Sequence, residues 1–313
     1  MFTVMSLPRK TKTLFKISRK YVRNRELIEQ LLRRWSATLR GSATCQRWDS
    51  PAGVPIVSSR SEKGALGDSS NPLKSYFESH KEGRGIMKWD HYFDIYHRHF
   101  SKFVGRKVHV LEIGVFSGGS LEMWRNYFGP KCRVYGVDIA EECKAYANDY
   151  TKIFVGDQAD RGFWKSFREQ VPTLDILIDD GGHQSEQQIV TLEEMLAHLR
   201  PGGVYVCEDV HNTLNEFTTY AQALADNLNA VNNWVAGPVE GEWLITCTPT
   251  QFQTAISSVN LYPFVAVIEK TDSHIEEFIC HSHGTEWQPP SFWEAQAATI
   301  ARLTTKPPGE EGA

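Results

Sequence analysis

The sequence predicts an α/β protein whose core is a doubly wound, mostly parallel sheet covered on both faces. Two observations predict it. Short apolar runs alternate with segments of helical length between residues 108 and 207, and the chain then adds two strand-like runs around Tyr262-Pro263, which read as an antiparallel hairpin.

Val108 to Ile113 (VHVLEI) is the first strand: it is largely apolar, it stops at Gly114, and Ser117 to Tyr127 follows with helical spacing. Arg133 to Ile139 (RVYGVDI), Lys152 to Val155, Leu174 to Ile178 (LDILI) and Gly203 to Cys207 (GVYVC) are the second to fifth. Glu141 to Asp149, Ala159 to Glu169 and Glu186 to Leu199 lie between them, each with the length and pattern of a helix. Past Asn212 a polar helix around Asn215 to Asn229 leads to Glu242 to Cys247, then to the hairpin runs Ser258 to Leu261 and Phe264 to Glu269. After Lys270 the signal weakens, Pro289-Pro290 and Pro307-Pro308-Gly309 mark a tail, and no internal repeat is found. The predicted organisation is a basic N-terminal arm or targeting segment (1–40), a poorly ordered linker (41–85), the α/β domain (86–270) and a C-terminal extension (271–313).

Composition excludes other classes. With 41% hydrophobic and 23% charged residues the chain is neither disordered nor collagen-like nor a coiled coil. No apolar stretch approaches the roughly 18 residues of a membrane span, so none is expected. The net charge of −4 hides an asymmetry: the first 50 residues hold twelve Lys or Arg against three acids, +9, which leaves 22 bases and 35 acids, −13, for the rest. An acidic body argues against a broad phosphate-binding face, so no nucleic-acid partner is expected. Six cysteines without a CxxC pair read as reduced thiols and point to the cytoplasm. The first 25 residues, eight basic and none acidic, offer the alternative of a mitochondrial transit peptide. Leu27, Ile28, Leu31, Leu32 and Trp35 also fit an amphipathic surface helix, and a solvated basic arm fits equally well.

Two clusters carry chemistry. Leu111 to Ser120 (LEIGVFSGGS) joins the first strand to its helix, where an open α/β sheet binds ligands. The spacing of Gly114, Gly118 and Gly119 fails the GxGxxG dinucleotide pattern, and what remains is Glu112 before Gly114, with Asp138 at the end of the second strand suited to a ribose diol. Gly156-Asp157-Gln158 follows the third strand.

The second cluster is Asp179-Asp180-Gly181-Gly182-His183 after the fourth strand and Glu208-Asp209 after the fifth. Neighbouring strand ends would bring Asp180, Glu208 and Asp209 together. Three carboxylates without a basic partner repel one another, and a hard divalent cation such as Mg²⁺ relieves that. The alternative is that Asp179 or Asp180 caps the helix near Ser185 while Glu208-Asp209 is solvated. His183 is the natural general base, because an imidazole titrates near neutrality. His211 is a weaker candidate for the substrate pocket, and His97, His99, His281 and His283 read as structural or surface residues.

LEIGVFSGGSLEMWR, RVYGVDI, GDQAD, DILIDDGGH and RPGGVYVCEDV, in that order, resemble the metal-dependent sugar O-methyltransferases of macrolide biosynthesis, the mycinamicin type. The cephalosporin hydroxylase-like group is also similar. The resemblance covers residues 86 to 212, more loosely to 270, and leaves the family's long N-terminal auxiliary domain unmatched. It implies the class I methyltransferase fold, Rossmann-like, with seven strands and an antiparallel last strand. It also implies an S-adenosylmethionine site of Glu112, Gly114, Gly118, Asp138, Asp157 and Gln158, with Tyr92 of KWDHYFDIY (residues 88–96) packing over the cofactor. Asp180, Glu208 and Asp209 would hold Mg²⁺ and His183 would be the base. The implied activity is Mg²⁺-dependent methyl transfer to a hydroxyl of a small molecule, a sugar or a glycosylated natural product, in a chain that also allows a homo-oligomer. The alternative is a hydroxylase-associated or non-catalytic S-adenosylmethionine-binding protein of the cephalosporin hydroxylase-like group.

Overall fold

The computed structural model describes residues 32, 35–40, 71–211, 216–239, 242–284, 286, 295 and 298. It divides into two units, Met1–Asp68 and Ser69–Ala313. In the first unit residues 35–40 are helical, while most of the predicted basic arm and the whole of 41–70 lie outside the described residues.

The second unit is built on a seven-stranded sheet in the order β3-β2-β1-β4-β5-β9-β8. Its strands are β1 His109–Ile113, β2 Arg133–Asp138, β3 Thr151–Val155, β4 Leu174–Asp179, β5 Leu199–Cys207, β8 Ile256–Tyr262 and β9 Val265–Lys270. β1 to β5 run parallel, and β9 lies antiparallel between β5 and β8. Register fixes the site: Ile113 pairs with Asp179, and Asp179 with Cys207, so the next residues, Gly114, Asp180 and Glu208, leave the sheet side by side.

Both faces are covered, as a near-continuous apolar strand requires. β4 (LDILID) is buried throughout; its Ile176 and Ile178 pack with Phe93, Tyr96 and Phe100 of the helix Tyr92–Phe100 and with Trp124 and Phe128 of the helix Gly119–Phe128. On the opposite face Leu174 and Leu177 pack with Trp164 and Phe167 of Arg161–Gln170 and with Val190 and Leu192 of Ser185–Met195. Each fully buried Phe or Leu contributes about 1.5–3 kcal/mol.

Three elements differ from the expectation. The helix Pro72–Ser79 lies inside the stretch read as a linker: Asn71 caps it by accepting from Leu73 and Lys74 N–H, Pro72 opens it, and Asn71 Nδ2 ties it to the Phe93 carbonyl at 2.8 Å. Leu73, Tyr76 and Phe77 keep the i, i+3, i+4 spacing, but eight residues are a shorter window than a periodicity reading needs. Glu141–Tyr146 is a 3₁₀ turn rather than an α-helix. Asp138 Oδ1 holds the Ala140 N–H before it and Asn148 Oδ1 holds the Tyr150 and Thr151 N–H groups after it, which leaves too little chain for a longer helix. Glu242–Cys247 (β7) joins a separate antiparallel sheet with Val235–Val239 (β6) and Phe278–Cys280 (β10), the last from the region read as an extension. Among the described cysteines Cys132, Cys143, Cys207, Cys247 and Cys280 are free thiols. No described helix is long and apolar enough to cross a membrane.

Candidate active site

The carboxyl ends of the strands and residues 85–88 enclose a cavity of about 360 Å³, lined by the β1 turn, the ends of β2, β3 and β4, and Asp209 beyond β5. That is the size of a small-ligand site. Gly114 is required at its floor: with φ +86°, a Cβ there would stand 1.9 Å from the Asp180 carbonyl oxygen. Gly118, at φ +75°, lies behind the wall, where a Cβ would meet the Tyr146 ring at 2.9 Å.

At one end of the cavity Asp138 accepts from the Phe116 N–H at 3.0 Å and the Ala140 N–H at 2.9 Å. Burial works to raise its pKa, but those N–H groups outweigh burial and hold the carboxyl below the usual range. It therefore stays an anion with lone pairs left for a ligand. Asp157 also lines the cavity, one oxygen accepting from the Ala159 N–H at 2.8 Å. Gln158 touches the cavity, yet its amide is committed: it donates to Asp179 and Thr191 and accepts from the Gly182 N–H at 2.8 Å, bracing the DDGGH turn. Asp179 serves the same brace, its pKa raised by burial to about 6 against the Gln158, Tyr205 and Gly181 donors. It caps no helix; the helix beginning at Ser185 is capped by Gln184.

At the other end the carboxylates do converge, but around a basic partner that sequence reasoning missed. Lys88 Nζ lies 2.5 Å from Asp180 Oδ2, 2.9 Å from Glu208 Oε2 and 3.6 Å from Glu112 Oε1, with its side chain 3% exposed. Burial opposes the ammonium, but Glu208, Asp180 and Glu112 together raise its pKa above the ordinary value and keep it charged. Burial first, then Asp180, raises the pKa of Glu208. Glu112 is fully buried within β1, off the cavity lining, accepting from Ser120 Oγ at 2.7 Å. Nothing local in KWDHYFDIY marks Lys88 as buried, because its partners come 24, 92 and 120 positions later.

Tyr92 and Tyr96, from the helix Tyr92–Phe100, hold the two carboxylates beyond β5 rather than lining the cavity. The Tyr96 hydroxyl donates to Glu208 Oε1 at 2.6 Å and the Tyr92 hydroxyl to Asp209 Oδ1 at 2.7 Å. Asp209 Oδ2 faces His183 Nε2 at 3.7 Å, and Asp180 Oδ1 stands 4.0 Å from the same nitrogen. One donor atom each from Asp180, His183 and Asp209 lies within 4.8 Å of the others, so these residues fit a divalent cation. Glu208, the remaining predicted ligand, has both oxygens engaged by Tyr96 and Lys88. His183 (φ +55°) and Asp209 (φ +52°) both hold left-handed backbone, a cost of about 1–3 kcal/mol each that active sites retain.

Beside Asp209 stands an aromatic ledge. Trp89 Nε1 donates to Asp209 Oδ1 at 3.1 Å, and its ring lies 5.5 Å from that of Phe264, with the His211 ring 5.2 Å from Phe264 as well. Phe264 sits at φ +64° in the Pro263-Phe264 turn of the hairpin β8–β9, and Trp89 and Phe264 are 51% and 39% exposed.

Residues 111–210 match the model of a family described as a methyltransferase domain. Demethylmacrocin O-methyltransferase of Streptomyces fradiae is 38% identical over 122 residues, 37% of this chain and 30% of that protein. Mycinamicin VI 2''-O-methyltransferase of Micromonospora griseorubida is 35% identical over 134 residues, 40% of this chain and 32% of that protein. The chain thus spans about a third of the length of the curated relatives it matches. Among solved structures, the MycE methyltransferase from the Mycinamycin biosynthetic pathway, in complex with Mg, SAH and Mycinamycin VI, has a TM-score of 0.52 and 25% identity, over 73% of this chain and 58% of that one. The expected class I methyltransferase fold and the resemblance read from the five segments are both borne out.

Proposed function

We propose that this chain, whose residues 111–210 are a methyltransferase domain, transfers a methyl group from S-adenosylmethionine to a hydroxyl of a sugar or glycosylated small molecule, with Mg²⁺. One observation carries the proposal: a single cavity has a ribose-suited carboxylate, Asp138, on its wall and the Asp180, His183 and Asp209 cluster at its other end.

S-adenosylmethionine supplies an electrophilic methyl on a sulfonium, and Mg²⁺ supplies positive charge that lowers the pKa of a hydroxyl. Asp138 would hold the ribose, and the backbone of Gly114 and Gly156 lets the cofactor approach closely. Asp180 and Asp209 offer the oxygens that would hold Mg²⁺, and His183, kept off the metal, has its Nε2 3.7 to 4.0 Å from both, positioned to take the hydroxyl proton as the methyl transfers. Glu208, held by Tyr96 and Lys88, is the third carboxylate at this end. Two curated relatives are named for a rhamnosyl tetracenomycin-C and an L-olivosyl-oleandolide as acceptors, and the Trp89–Phe264 ledge supports a sugar here, since aromatic faces cover the apolar face of a sugar ring while its hydroxyls reach Asp209.

The test is incubation with S-adenosylmethionine and a panel of deoxysugar glycosides, with products read by mass spectrometry. A product heavier by one methylene, absent with excess EDTA, is expected. Cofactor binding with no product across the panel would sink the transferase reading, and full turnover in EDTA would remove the metal from it.

A further inference from the structure

We propose that Lys88 is a tethered cation that holds the Asp180 and Glu208 carboxylates until a divalent ion displaces it, so that ammonium and metal compete for the same oxygens. The proposal rests on the metal-dependent reading above.

Its basis is the geometry at the ends of β4 and β5. Adjacent registers deliver Asp180 and Glu208 side by side, and one oxygen from each converges on Lys88 Nζ, at 2.5 and 2.9 Å. Two carboxylate oxygens converging on one point are what a hard cation of about 2.0–2.1 Å ligand distance also requires. Two positive centres cannot share them: an ammonium and a dication a few ångströms apart in a buried site repel strongly. With Glu112 at 3.6 Å, three carboxyl groups face one ammonium, a set that a dication matches better than a lysine does.

Lys88 is also built to move. It belongs to the stretch 85–89, outside any helix or strand and partly lining the cavity, and its four-carbon stem lets the ammonium swing toward that space without breaking an element. Glu208 would stay in place, because the Tyr96 hydroxyl still holds its other oxygen at 2.6 Å. The next residue, Trp89, donates to Asp209, so displacement of Lys88 would be felt at the second carboxylate of the cluster.

The experiment measures Mg²⁺ and Mn²⁺ binding calorimetrically on the full chain without S-adenosylmethionine, for the native protein and for Lys88→Met and Lys88→Gln. Removing the competing charge is expected to tighten metal binding by about tenfold or more. The variants should melt lower than the native protein in EDTA and recover more on adding Mg²⁺. In the native protein, nitrogen-15 NMR of the lysine ammonium groups should show one slowly exchanging buried signal that Mg²⁺ removes or shifts. Metal affinity unchanged or weakened in both variants, or a buried lysine signal indifferent to saturating metal, would overturn the proposal while leaving metal dependence standing. Absence of metal binding by native protein and variants alike would overturn both.

Discussion

The Tyr92 hydroxyl donates to Asp209 Oδ1 at 2.7 Å, joining residues 117 positions apart. Tyr92 is 1% exposed, and Asp209 holds left-handed backbone, so the phenol fixes a carboxylate that its own backbone does not favour. Tyr92→Phe keeps the ring packing and removes only the hydrogen bond. Turnover should fall by about tenfold with S-adenosylmethionine affinity unchanged, the equivalent of a hydrogen bond to a charged group. An equal loss of cofactor affinity would instead return Tyr92 to the cofactor wall.

Gly114→Ala tests the close approach of β1 to β4. The added Cβ would meet the Asp180 carbonyl oxygen at 1.9 Å from a residue at φ +86°, and backbone cannot yield as a side chain can. The variant should lose about 2 kcal/mol or more of stability, read by denaturant unfolding, and lose cofactor binding with it. Gly118→Ala meets a tyrosine ring instead and should keep more of both.

The parallel strands, the hairpin and the carboxyl-edge acids were legible because they rest on local period and on strand ends that any doubly wound sheet brings together. Asp180, His183 and Asp209 meet for that reason. Lys88 was not legible: nothing within ten residues of it distinguishes it from the solvated Lys81 or Lys102, and its burial follows from where the helix Tyr92–Phe100 docks. Gln158 lines the cavity as expected, but it has a second task that its position does not reveal. Its position after β3 matches a cofactor contact, but the Gly181-Gly182 turn passes so near, a Gly181 Cβ falling 1.9 Å from its oxygen, that the amide is spent on the turn. The Asn71-Pro72 cap was written in the sequence and escaped notice only because its helix is eight residues long.

Acid stability should depend on Glu269, in β9. Its hydrogen bond with His99 leads, and Lys102 adds, in holding its pKa down to about 2 against the opposing effect of burial. A depressed carboxylate stabilises the fold fully above its unfolded pKa, near 4.5, and that contribution is lost as pH falls toward 2. Between those limits the native protein should lose about 2 kcal/mol that Glu269→Gln does not lose. Parallel urea titrations across that range check this, and identical pH slopes would contradict it.

Asp138 and His183 separate cofactor binding from chemistry, because they contribute to different parts of one cavity. Asp138 is already held by two backbone N–H groups, so Asp138→Ala loses both the turn's anchor and the ribose partner, and S-adenosylmethionine affinity should fall tenfold or more by about 1.4 kcal/mol per decade. His183 Nε2 faces Asp209 and Asp180 and takes no part in that anchor. His183→Ala should therefore bind the cofactor as the native protein does and lose roughly 10²- to 10⁴-fold in rate, the usual worth of a positioned base. Cofactor affinity by calorimetry and single-turnover rates by mass spectrometry read the two effects independently. A His183→Ala variant that turns over normally would leave proton removal to solvent and remove His183 from both the base and the metal-holding role.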